Sequence, residues 1–74
     1  MNGYISKMVL KDGREQPYAF ITGEDNKQYF LHRNNFVGNW DELSGRVSAS
    51  SVTKVKFNTV DSPKGPRAEN CDFV

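Results

Sequence analysis

Residues 18–23 (Tyr-Ala-Phe-Ile-Thr-Gly) and 28–32 (Gln-Tyr-Phe-Leu-His) alternate with period two and predict two β-strands. Alternate side chains of a strand point to opposite faces. Tyr18 and Phe20 therefore share one face, with Ala19 and Ile21 on the other; Phe30 and His32 share a face, with Tyr29 and Leu31 opposite. The polar run Glu24-Asp25-Asn26-Lys27 is the turn between the strands. Paired as a hairpin, they place Tyr18, Phe20, Phe30 and His32 on one platform of π surfaces. Further strands are predicted over 3–10, with Ile5 as its core residue, over about 52–60, where Val55 and Phe57 share a face, and over 67–74, with Ala68, Cys71 and Phe73 as apolar positions. Asp12-Gly13 is a hairpin signal, and Pro17 sits where a strand's first N–H is dispensable. Residues 33–50 are polar and rich in Gly and Ser. They predict a long loop holding Trp40 and Leu43, with one helical turn around Phe36 capped by Asn34 or Asn35. No stretch sustains helical spacing over three turns, so no substantial helix is expected. Five short strands without crossover helices predict an all-β fold, a small five-stranded antiparallel barrel.

The chain has 74 residues, which makes one domain spanning 1–74. Its end on the apolar Phe73-Val74 suggests the N-terminal domain of a longer protein. Cys71 and His32 are the single cysteine and histidine, which excludes an intrachain disulfide and a Cys/His zinc set. No metal or other cofactor is expected. Packing alone must hold the fold, and a reducing, cytoplasmic location suits that chemistry. Apolar runs reach three residues, as at Met8-Val9-Leu10, too short for a membrane-spanning helix. Net charge is +1, so the distribution of charge matters more than its sum. The carboxylates at 24–25 and 41–42 belong to turn and loop and have no partner constellation for acid–base catalysis. The expectation is therefore a protein that is not an enzyme.

Three segments together resemble the bacterial cold-shock domain. Gln16-Pro17-Tyr18-Ala19-Phe20-Ile21 looks like its first ribonucleoprotein motif, K-G-F-G-F-I. Tyr29-Phe30-Leu31-His32 is similar to the second, V-F-V-H. Val55-Lys56-Phe57, followed by Lys64-Gly65-Pro66-Arg67-Ala68-Glu69-Asn70-Cys71, resembles the closing V-x-F and K-G-P-x-A-x-N-V. Gly3-Tyr4-Ile5 is similar to the opening G-x-V. The resemblance implies an OB-fold barrel that binds single-stranded RNA or DNA, with bases stacked on the second and third strands. It implies base contacts from Tyr18, Phe20, Phe30 and His32. Among the cations, Lys7, Arg33 and Lys64 are the expected phosphate contacts, while Lys27, Lys56 and Arg67 read as ordinary solvated charge. A monomer is expected.

The pattern departs from the family in informative places. Ser6-Lys7-Met8 stands where the family has Lys-Trp-Phe, so a stacking ring is replaced by a cation. Arg33 follows the second motif where an aromatic is common. These changes predict weaker binding than in a typical member. Trp40 either holds the long loop on the barrel or contacts ligand at the edge of the site. Core packing is the ordinary fate of Tyr18, Phe20 and Phe30. However, Ala19, Ile21, Leu31, Val55 and Phe57 already supply an inner face, and so small a barrel cannot bury both. Cys71, at a family valine, is expected to be a buried, inert thiol. The second functional reading is a protein-interaction or regulatory OB module with little nucleic-acid affinity.

Overall fold

A computed structural model describes residues 1–9, 18–49 and 52–74. The turn expected over 11–17, the first strand's end at Leu10, and residues 50–51 lie outside the described residues. Strands β1 (Asn2–Val9), β2 (Tyr18–Gly23), β3 (Gln28–His32), β4 (Lys54–Val60) and β5 (Arg67–Phe73) form a closed barrel in the order β1-β2-β3-β5-β4. The predicted second and third strands match β2 and β3 end to end, while the fourth begins two residues later than expected.

The barrel is mixed rather than wholly antiparallel. β3 and β5 run parallel, meeting at Phe30 and Arg67, while the other neighbours are antiparallel. Parity requires this: a closed ring with an odd number of strands cannot alternate direction all the way round.

The inward faces of the strands supply Ile5, Ala19, Ile21, Tyr29, Leu31, Val55, Phe57, Ala68 and Cys71 to the core. Two irregularities make this possible. From Ile5–Ile21 to Lys7–Phe20 the register advances two residues on β1 but one on β2, so Ser6 is an extra residue, a β-bulge. Its hydroxyl donates to the Phe20 carbonyl at 3.1 Å. From Lys56–Asp72 to Asn58–Glu69 the register advances two residues on β4 but three on β5. Asn70, at φ 51°, takes the left-handed conformation there. That bulge turns both Ala68 and Cys71 inward although they are three residues apart. At Gly3, β1 pairs with both β2 and β4. A Cβ there would lie 2.5 Å from the Thr22 carbonyl oxygen, so only glycine permits the approach.

Over its described residues, 33–49, the expected loop is replaced by two helical elements. Arg33–Asn35 form a 3-10 turn, capped by His32 rather than by an asparagine. Trp40–Ser48 form a helix, α1. Asn39 caps it, its side-chain oxygen accepting from the Glu42 N–H at 3.1 Å, and Arg46 reaches back to Glu42 at 3.3 Å. Trp40 and Leu43 are buried and Val47 packs on the core, an i, i+3, i+7 stripe over little more than two turns. Gly45, Ser44 and Ser48 weaken the intrinsic preference of α1, and burial of Trp40 and Leu43 overrides it. No helix among the described residues is long and apolar enough to cross a membrane.

Candidate functional site

The hairpin register places Tyr18 opposite His32 and Phe20 opposite Phe30. All four rings lie on the outer face, partly exposed, while Ala19, Ile21, Tyr29 and Leu31 between them are buried. The Tyr18 and Phe30 rings lie 5.2 Å apart and tilted by 32°. Phe20 meets Tyr18 edge-on at 5.8 Å and Phe30 at 5.9 Å. His32 lies 6.5 Å from Phe30, its Nδ1 accepting from the Asn34 N–H at 3.2 Å, which fixes the imidazole at the end of β3.

The loop between β4 and β5 forms a wall beside these rings. Its turn is closed by the Gly65 N–H donating to the Ser62 carbonyl at 2.9 Å, and the Ser62 hydroxyl donates back to the Gly65 carbonyl. Pro63 presets the turn, and Gly65 takes φ 118°, which a side chain would strain. The Phe30 N–H donates to the Pro66 carbonyl at 3.2 Å and ties the loop to β3. Between loop and platform lies a hollow of about 650 Å³, lined by Phe20, Phe30, Ser62, Lys64 and Arg67 among others.

Cations surround the rings. Lys7 is exposed and sits opposite Phe20, because the Ser6 bulge turns it outward. Lys64 is exposed at the tip of the turn, and Arg33 is exposed immediately after His32. Arg67, which the linear pattern left among ordinary surface charges, stands beside Phe30 across the parallel pairing and approaches Glu69 at 3.7 Å. Nothing local in the sequence marks it; its position depends on the β3–β5 contact.

Trp40 is elsewhere. It is 7% exposed, in the core, edge-on to Phe36 at 6.0 Å. Of its two anticipated roles, this is the plug. Its indole N–H is buried without a partner among the described residues.

The titratable groups that depart from ordinary behaviour serve the fold. The Tyr29 ring packs at 5.1 Å from Phe57, and its hydroxyl donates to Asp25 in the β2–β3 turn. That bond holds the Asp25 carboxyl below its usual range and the Tyr29 phenol above its own. Burial, with a contribution from the Asp72 charge, pushes the Cys71 thiol up to about 12. Among the described residues no cluster of His, Cys, Asp or Glu is arranged to hold a metal ion.

A closed β1-β2-β3-β5-β4 barrel with an outward aromatic face on β2 and β3, bordered by the β4–β5 loop, defines an OB-type barrel. Within that class, the chain is 34% identical over 58 residues to a cold shock-like protein of Aquifex aeolicus (strain VF5), covering 77% of this chain and 76% of the relative. The chain belongs to the cold shock-like protein family. No family model matches it, and no solved structure does.

Proposed function

We propose that this domain binds single-stranded RNA or DNA by stacking bases on Tyr18, Phe20, Phe30 and His32, and that it acts as an RNA chaperone or cold-shock-type regulator. The observation that carries the reading is the outward cluster of four rings beside a concave wall bearing Lys64 and Arg67. Any base offers a π face, so such a surface holds an unpaired strand with little regard to sequence. A binder of the open strand shifts a folded RNA toward its open form by mass action. Lys7, Arg33 and Lys64 meet the phosphates, and Arg67 exchanges Glu69 for a phosphate.

The test is titration of isotope-labelled protein with oligo-U and oligo-dT. Amide shifts are expected at Phe20, Phe30 and along 62–67. Phe20→Ala or Phe30→Ala should each weaken binding by about 5- to 150-fold, the equivalent of about 1–3 kcal/mol per stacked base. Both variants should still melt cooperatively, since the core lies on the other face. Absence of both shifts and affinity in the wild-type protein overturns the proposal.

One observation favours a second reading, a protein-interaction module. Lys7 occupies the place opposite Phe20 where the family pattern has tryptophan, which reduces the stacking area. An aromatic face with less stacking area suits a polypeptide partner. Binding of that kind need not weaken steeply with salt, which separates the two readings.

A further inference from the structure

A second hollow, of about 500 Å³, opens farther along the outer face, around Tyr4. Thr22, Glu24, Lys54, Val52 and Val74 also line it. Tyr4 is 44% exposed, a large ring on the surface with neither a ring contact nor a hydrogen bond to its hydroxyl among the described residues. Val52 and Val74 are 75% and 73% exposed and add aliphatic surface around it.

The register connects this hollow to the platform. Tyr4 sits opposite Thr22 on β2 and opposite Lys54 on β4, and Thr22 sits opposite Gln28 on β3. Lys54, Tyr4, Thr22 and Gln28 thus form a row across four strands. The neighbouring row on the same face is Lys7, Phe20, Phe30 and Arg67. Two residues of strand separate the rows, a distance of about 7 Å, which one unstacked nucleotide step spans. Each row holds aromatic surface with a cation at its edge. Lys54 makes no ion pair among the described residues.

From this juxtaposition, and resting on the nucleic-acid reading above, we infer that the hollow is an additional nucleotide subsite: a base stacks on Tyr4 next to the one on Phe20, and Lys54, on the side of Tyr4 away from Phe20, meets that nucleotide's outer phosphate. The carboxylate of Glu24 sets the orientation. One of its oxygens accepts from the Asn2 N–H at 3.1 Å, and its charge repels a phosphate within the hollow. The base therefore enters and the phosphate stays on the Lys54 side. The Thr22 hydroxyl, which lines the hollow, offers the base edge a hydrogen-bonding group.

The experiment measures oligo-dT binding by fluorescence anisotropy as length increases one nucleotide at a time. Wild-type protein should gain about tenfold at one length step, beyond the gradual rise from multiple registers. Tyr4→Ala should lack that step yet bind shorter oligonucleotides as wild type does. Tyr4→Phe should keep the step, because it keeps the ring, and Lys54→Gln should reduce it. A Tyr4→Ala loss of equal size at every length, or no loss at any length, overturns the subsite. If short oligonucleotides bind in a Phe20-dependent way while Tyr4→Ala changes nothing, the subsite alone falls. If no oligonucleotide binds wild-type protein, the nucleic-acid reading falls with it.

Discussion

Lys7 illustrates how one residue's face can depend on its neighbour. Strict alternation along 3–10 puts it on the same side as Ile5, in the core. The extra residue at Ser6 reverses that, and a cation lands opposite Phe20 instead. Cys71 has a converse role, closed to solvent at the barrel's centre. An unfolded chain releases the thiol proton from about pH 9 upward, whereas the folded protein holds it until about 12. The folded state then binds more protons than the unfolded one, so the stability this thiol contributes is fully present below about pH 9 and declines as pH rises through that window. Tyr29, also raised, adds to the alkaline loss. Thermal melts between pH 7 and 10.5 should show a falling Tm, and Cys71→Val should shrink the fall while leaving melting at pH 7 within a few degrees. An equal alkaline fall in Cys71→Val assigns the loss to other groups.

At the level of elements, α1 is the main departure from the sequence-based expectation. Its signals were present: Asn39-x-x-Glu42 is a capping pattern, and Trp40, Leu43 and Val47 have helical spacing. They were obscured because the stripe is short and Gly45 interrupts it. Such a helix depends on its cap and its docking more than on propensity. Asn39→Ala should cost about 1 kcal/mol, a Tm drop of roughly 4–8 °C for a domain of this size. Leu43→Ala should cost about 2–5 kcal/mol. Denaturant melts of both variants check this, and a neutral Leu43→Ala contradicts the docking. At the helix's far end, Arg46 stacks over the Phe73 ring at 4.2 Å, and Phe73 meets Phe36 edge-on, joining α1 to β5. The hairpin of β2 and β3 was fully legible, because its faces follow from local alternation and a short turn.

Across the whole molecule, ten basic and nine acidic residues nearly cancel, yet they are not evenly mixed. Lys7, Arg33, Lys64 and Arg67 lie around the aromatic face. Glu24 and Asp25 occupy the β2–β3 turn, and Asp41 and Glu42 the start of α1. Local positive potential on a nearly neutral protein fits a phosphate-bearing ligand held at one face. Oligonucleotide affinity should therefore fall linearly with salt on logarithmic axes. Lys64→Gln should lower the slope by about 0.7, the share of one phosphate contact on a single strand. An unchanged slope removes Lys64 from the interface, and a flat wild-type slope favours the protein-interaction reading.

The sequence by itself determined the strands, the outward set Tyr18, Phe20, Phe30 and His32, the inner set around Ile21, Leu31, Val55 and Phe57, and the family resemblance. These are properties of short segments, where a period of two assigns each side chain a face. Tertiary structure decided the parallel β3–β5 pair, the outward turn of Lys7, the position of Arg67 beside Phe30, the burial of Trp40 and the hollow around Tyr4. Each depends on register between strands distant in sequence or on closure of the ring. A bulge or a crossing leaves no periodic mark in the chain that carries it.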